Sequence, residues 1–354
     1  MKQSIVTELR YDTNAFVRPE GQTQTGDTVF LIMPQFNLST ERHSVTLTGL
    51  YSPTGSIYFN NPGLNSISHY ASAGMDMELS SKWSFSASDV FTYSKETLDT
   101  SLIGIQTSRA TVWSNAVSVG TAYALTEKTT ASLGATDSIF RSNDPASIRS
   151  RTDSASLGLG YSATVNTTLN ATYGFSNFHF NTPTTSNDIQ TQSASVGLSH
   201  KFPDSLDVSL SGGANYTPSF SKKYDWIASA AVKKTFQNST VSLEYVRGIT
   251  NTSGLTDQLN INERYSAVVA YTITPATSVT AFGEYYQSQS KPIDVLRVKS
   301  YTTGISGQWR PYSWMSLNAG YSHFKQVSDG IIGEDFKRDH FFVSLAITTY
   351  EGKI

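Results

Sequence analysis

Apolar and polar residues alternate with a period of two along nearly the whole chain. Val45, Leu47, Gly49 and Tyr51 interleave with Ser44, Thr46 and Thr48. Ala155, Leu157, Leu159 and Tyr161 interleave with Ser156, Gly158 and Gly160, and Leu169, Ala171, Tyr173 and Phe175 with Asn170, Thr172 and Gly174. The pattern returns over residues 241–245, 265–273 and 341–347. This is the period of a β-strand with one apolar face, and here the other face is small and polar. Short connections are expected near residues 39–42, 80–82, 126–128, 164–166, 203–205, 237–238, 274–276 and 310–313. Longer polar stretches fall at about 13–26, 52–65, 94–109, 141–153, 179–188, 217–225, 248–262, 288–297 and 326–337. Eight short and nine long connections separate eighteen strands. A weak repeat has the same spacing: Tyr123-Ala124-Leu125-Thr126 is echoed by Tyr161-Ser162-Ala163-Thr164 and by Tyr271-Thr272-Ile273-Thr274.

Composition decides what such strands build. Only 15% of the 354 residues are charged, against about 25% in an average soluble chain. No apolar run is long enough for a membrane-spanning helix. A transmembrane β-barrel needs no such run, because lipid-facing and lumen-facing residues alternate along each strand. The expected fold is therefore all-β: a transmembrane antiparallel up-and-down barrel of about 18 strands, with short periplasmic turns and longer extracellular loops. It would form one domain over residues 1–354, integral to the outer membrane of a Gram-negative bacterium. A soluble sandwich, propeller or β-helix would share the alternation, but would not need nine strand pairs with aromatic ends and so few exposed charges. Met1-Lys2-Gln3-Ser4-Ile5-Val6 lacks the charged segment and apolar core of a signal peptide. The chain is thus either cytosolic or the mature form of an exported protein with an added Met1; the strand pattern favours the second.

Two positions strain this pattern. Pro34 falls inside the strand expected over residues 30–38 and removes a ladder N–H, so a bulge or local opening is expected there. Asp89 would face lipid if residues 83–93 alternated without interruption. A bulge near Ser88 that turns it inward is the simpler expectation.

Eighteen strands about 4.8 Å apart and tilted about 40° give a wall roughly 35 Å across and a channel of very roughly 15 to 20 Å. An unobstructed pore of that width would breach the membrane barrier. Infolded loops, with residues 52–65 or 94–109 as candidates, or a partner or polymer in the lumen are expected instead. The inward set is mostly neutral: Thr46, Thr48, Ser118, Gly120, Ser156, Gly158, Asn170, Thr172, Ser209, Ser211, Thr302, Gly304, Ser306, Ser316 and Asn318. Such residues suit a hydrated, sugar-like solute, and equally suit plain water filling. The charged lumen-lining candidates are Glu8, Arg10, Asp76, Glu78, Lys233, Glu244, Arg264 and Glu284, with Asp12 and Lys201 beside them. They carry both signs, so neither a phosphate-type basic ring nor a strong cation filter emerges.

Zero cysteine excludes disulfides, cysteine metal sites and covalent haem attachment in this chain. The near-neutral balance of 26 Lys and Arg against 28 Asp and Glu speaks against a nucleic-acid partner. The six histidines form no metal spacing and no G-x-S-x-G elbow occurs; no enzyme activity, metal or cofactor is expected. His200 and His323 are expected to be interfacial.

Leu9-Arg10-Tyr11-Asp12-Thr13-Asn14-Ala15-Phe16, followed by Leu31-Ile32-Met33-Pro34-Gln35-Phe36-Asn37-Leu38, resembles the opening of the β-barrel porin 2 family. Leu79-Ser80-Ser81-Lys82-Trp83-Ser84-Phe85 and the Tyr-x-Leu-Thr repeats are similar to it as well. The resemblance implies an outer-membrane conduit for exopolysaccharide, supplied by a periplasmic polysaccharide-export protein. It carries over no functional residues. The leading expectation is therefore export of exopolysaccharide. The alternatives are a general diffusion porin, which needs an infolded loop with opposed charges, and a sheath around a multihaem cytochrome.

Overall fold

The computed structural model describes residues 2–95, 110–143, 148–182, 186–251, 256–329 and 334–351. Eighteen strands make up almost all of it: β1 (Lys2–Asp12), β2 (Asp27–Arg42), β3 (Val45–Tyr58), β4 (Ser66–Ser80), β5 (Trp83–Ser94), β6 (Val112–Ala124), β7 (Thr129–Ser142), β8 (Arg149–Thr164), β9 (Thr167–Asn181), β10 (Ser186–Phe202), β11 (Leu206–Tyr216), β12 (Tyr224–Thr235), β13 (Ser239–Asn251), β14 (Leu259–Thr274), β15 (Thr277–Lys291), β16 (Arg297–Tyr312), β17 (Met315–Ser328) and β18 (Phe336–Glu351). Each pairs antiparallel with its sequence neighbours, and β1 also pairs with β18, so the sheet closes on itself. Closure leaves no open edge, the condition for a sheet to span lipid.

Directly opposed residues share a face, so the register fixes which side each residue takes. Leu133, Leu157, Leu210, Leu243, Ile305 and Val343 are all at least half exposed on the outer face. Only lipid can cover such a band favourably. Aromatic residues bound it on both sides. Trp83, Tyr123, Tyr161, Tyr271 and Trp309 stand exposed toward the short-turn end. Toward the other end Tyr245, Tyr265, Tyr285 and Tyr301 line up on four successive strands, with ring centroids 4.7, 5.9 and 5.0 Å apart, and Tyr321 meets Phe341 at 4.7 Å. Rings that are apolar in the body and polar at the tip suit the two interfaces. The protein is an integral outer-membrane β-barrel.

Above the upper aromatic girdle the two faces exchange character. On β7–β10 the outer face carries Asp137, Arg151, Asp153, His179 and Asp188, with Arg151 2.7 Å from Asp137 and His179 2.9 Å from Asp188. The inner face of the same strands carries Phe140, Phe178, Phe180 and Ile189, all buried. A barrel wall in water is stabilised by an apolar interior and a polar exterior, the reverse of its lipid-embedded part.

This reversal corrects several expected boundaries. Residues 141–142, 149–153, 179–181, 186–188, 248–251 and 259–262 belong to strands, and the connections among the described residues shrink accordingly. The first turn is His43-Ser44 rather than 39–42, with His43 at φ 55°; the last is Ser313-Trp314 rather than 310–313. Residues 52–58 of the 52–65 stretch belong to β3, and the short connection that remains packs Leu64 against the inner-face residues Ala15, Val29, Leu31 and Tyr58; most of 94–109 lies outside the described residues. Asp89 faces outward after all: β5 runs without a bulge opposite Ala73 and Val117. Asn115 on β6 donates to its carboxylate at 2.6 Å, which compensates the carboxylate in place of an inward turn.

Pro34 does mark a local opening, and it has a counterpart. The β2–β3 ladder is paired at Ile32–Gly55 and at Phe36–Tyr51 and is interrupted between them, where Pro34 stands opposite Pro53. Proline has no N–H, so the two bonds this pair would exchange cannot form.

Candidate functional site

The lumen is built in two zones. Below the apolar extracellular zone its wall is lined by hydroxyls and amides that bond across strands: Ser118 with Thr136 at 2.9 Å, Ser154 with Ser176 at 3.0 Å, Ser211 with Ser229 at 2.7 Å, and Gln308 with Asn318 at 2.9 Å. Side chains that satisfy one another leave capacity for water without holding it tightly. A cavity of about 570 Å³ lies on the β3–β8 side, lined by Thr46, Asp76, Glu78, Ser86 and Gly120 among others.

The charged candidates are spread around this wall. Register places Glu8, Arg10, Asp76, Glu78, Lys233, Glu244, Arg264 and Glu284 on the face opposite the exposed apolar one. Arg10 Nε lies 2.8 Å from Glu8 and Arg264 Nη2 lies 2.8 Å from Glu244, so these four form two ion pairs. Glu284 stands opposite Ser266, which in turn stands opposite Glu244. Lys233 is in register with Asp207, and Asp207 with Lys201. Asp76 and Glu78 share the β4 wall of the cavity. These groups line several sectors rather than one filter. Among the described residues no cluster of histidines and carboxylates is placed to hold a metal ion.

The extracellular zone is narrowed by the first loop, residues 13–26, which folds into the lumen. Ala15 packs against Val29, Leu31 and Tyr58 on the inner face of β2 and β3. Val17 packs against Phe324 of β17 and Phe336 of β18. Val17 holds φ 51°, a conformation a β-branched residue adopts only when its surroundings impose it. Polar anchors supply that constraint. Asn14 is fully buried: its side chain donates to the Arg18 carbonyl at 2.8 Å and accepts from the Arg18 N–H at 2.9 Å. Glu20 N–H reaches the Asp335 carbonyl at 2.6 Å, and Ala15 N–H the Thr25 carbonyl at 3.0 Å. At the base Arg338 Nε donates to Asp12 Oδ1 at 3.0 Å, with both side chains almost wholly buried and a second contact from Nη2 to Oδ2. His340 Nε2 approaches the same carboxylate at 3.6 Å.

Three more contacts narrow this end. Phe220, in the loop after β11, joins Phe178, Phe180, Ile189 and Leu259 in one buried cluster. Asn251 of β13 donates to Thr152 of β8 at 3.0 Å, although four strands, β9–β12, separate the two along the wall. Leu296 packs with Tyr286 and Val298 on the β15–β16 wall. Of these residues the sequence offers Asp12 as a lumen-lining candidate, and Asn14, Ala15 and Leu31 only as part of the opening motif. Extending the β18 alternation upward through Phe336, Arg338 and His340 would have found Arg338.

Comparisons with known proteins agree with this architecture. A search of curated proteins finds no match. Among solved structures, Pseudomonas aeruginosa OccK2 (OpdF) is similar at 9% identity and a TM-score of 0.55, covering 99% of this chain and 98% of its own. OpdK of the same species gives 10% identity and a TM-score of 0.53, with 98% of each chain covered. Its siderophore receptor PirA gives 8% and 0.51, covering 99% of this chain and 80% of the receptor. At these identities the likeness is one of fold. The family model described as "Putative MetA-pathway of phenol degradation" matches residues 5–185. That is not the β-barrel porin 2 family which the opening motif resembles. Tyr11-Asp12-x-Asn14 here stands at the upper girdle and anchors an infolded loop, a structural task that a barrel of another family can share. More than half of the chain fits this model, and the protein belongs to the family it describes, as an outer-membrane β-barrel.

Proposed function

We propose that the protein is a diffusion channel that admits small solutes across the outer membrane. The observation that carries this reading is the infolded first loop. A porin needs a wide barrel narrowed by a loop held against charged wall groups, and residues 13–26 are held in that way by Asp12, Arg338 and the β17–β18 wall. A conduit for a polymer needs an unobstructed lumen, which is why the export of exopolysaccharide, with its periplasmic partner, fits less well. The apolar extracellular zone and the phenol-degradation description of the family point to small aromatic compounds as the solute class.

Swelling of proteoliposomes in graded neutral solutes tests the reading. Solutes of one aromatic or sugar ring should enter and oligosaccharides should be excluded. Entry of long oligosaccharides at comparable rates would favour the export conduit, and no swelling with any solute would contradict both.

A further inference from the structure

The β2–β3 seam is interrupted in mid-strand, and its position relative to lipid and lumen gives it a use. The register shifts in the other seams, at residues 3–4, 78–80, 162–164, 272–274 and 309–312, all lie at short-turn ends. The Pro34–Pro53 interruption instead lies in mid-strand, in the same register row as His69, Tyr93 and Trp113 on β4–β6. On the outer face it is flanked by Phe36 and Tyr51 on one side and Ile32 and Ile57 on the other, each exposed to lipid. On the inner face it meets the apolar patch of Ala15, Val29, Leu31 and Tyr58, with Met33 packed against it. Missing ladder bonds at membrane depth are costly, and two prolines placed opposite each other make them unavoidable.

We infer that the β2–β3 seam is a lateral exit, through which a small apolar or aromatic solute passes from the lumen into the outer leaflet. The inference rests on the channel reading above. The apolar patch behind the seam collects such a solute from the narrowed extracellular zone. At the seam the carbonyls of Pro34 and Pro53, each without its cross-strand donor, offer acceptors to a solute bearing one hydroxyl. The missing bonds lower the cost of separating the strands there. A charged or strongly hydrated solute gains nothing at this seam and continues along the polar zone to the periplasm.

The natural chain has no cysteine, so a disulfide can lock the seam without side reactions. Met33 and Thr54 flank the proline pair in register, at the close-approaching kind of position that a disulfide spans. Met33→Cys with Thr54→Cys is expressed in a porin-deficient outer membrane, with folding checked by heat-modifiable mobility. Two fluxes are followed: the fluorescence rise of 1-N-phenylnaphthylamine on entering lipid, and hydrolysis of a hydrophilic β-lactam by a periplasmic β-lactamase. Oxidation should reduce entry of the apolar probe to that of cells lacking the protein and leave the hydrophilic flux unchanged, and reduction should restore it. Pro34→Val with Pro53→Thr, which returns both donors, should have the same selective effect without a crosslink. Probe entry unchanged in the oxidised form would overturn the lateral exit, and so would equal loss of both fluxes, since the seam would then act on the whole lumen. A natural protein that passes neither compound would instead refute the channel reading itself.

Discussion

Arg338 on β18 reaches across to Asp12 at the end of β1, Nε to Oδ1 at 3.0 Å, and the two side chains are 6% and 2% exposed. Asp12 Oδ1 also accepts the Asn14 N–H at 2.9 Å, so one carboxylate ties the barrel wall to the start of the infolded loop. Removing one member of a buried pair strands the other charge, at a cost of about 3–5 kcal/mol. Arg338→Met should therefore lower stability by about that amount in urea titrations of vesicle-inserted protein. Asp12→Leu combined with Arg338→Met should recover most of the loss, because no buried charge is then left alone. Equal losses in the single and double variants would show that the pair is not the anchor.

Packing on the inner wall sets a second expectation. A Cβ on Gly320 would lie 2.7 Å from Phe342 Cε1 and 2.8 Å from the Ile305 carbonyl oxygen, whereas one on Gly248 would meet nothing within 4 Å. Gly320→Ala should destabilise by about 1–3 kcal/mol through overpacking. Gly248→Ala should stay within about 0.5 kcal/mol of the natural protein. The same urea titration compares them.

Asp89 and Asn115 face lipid six and eight residues above Trp83 and Tyr123, roughly 15 to 20 Å up a wall tilted about 40°. Lipid-facing Arg or Lys costs about 2–4 kcal/mol at the midplane and Asp less. Asp89→Leu should therefore stabilise the vesicle-inserted barrel, by about 1 kcal/mol. Asn115→Leu should destabilise it, because the carboxylate loses its 2.6 Å donor.

Lumen charge should set ion preference. Glu244→Gln with Glu284→Gln leaves Arg264 without its partner. The reversal potential in a salt gradient should then shift toward anions. An unchanged potential would place these carboxylates off the ion path.

Within the lipid band the sequence was legible residue by residue, because lipid and water impose opposite demands on alternate positions. Leu157-Gly158-Leu159-Gly160-Tyr161 reads as strand with one apolar face, and the low charge of the whole chain turns that face to lipid. Above the band the same logic misled. Asn177-Phe178-His179-Phe180 alternates just as strictly, yet its polar residues point outward into water, and on β8 Arg151 and Asp153 do the same while Ser150 and Thr152 face inward. Judged by the lipid rule they resemble loops. The infolded loop was not legible either: Ala15-Phe16-Val17 is a short apolar run in a polar stretch, and the partners of Ala15 and Val17 on β2, β3, β17 and β18 come together only when the barrel closes. Pro34 signalled an irregular seam, but the importance of Pro53 depends on a register that the sequence does not reveal.

The central claim is that the barrel conducts small solutes and that its first loop limits the flow. Single-channel conductance in planar bilayers tests it most directly, comparing the natural protein with a variant in which residues 16–23 are replaced by a short Gly-Ser bridge. The account expects small, uniform steps from the natural protein and clearly larger steps from the variant. Absence of conductance from both, or identical steps from the two, would contradict it.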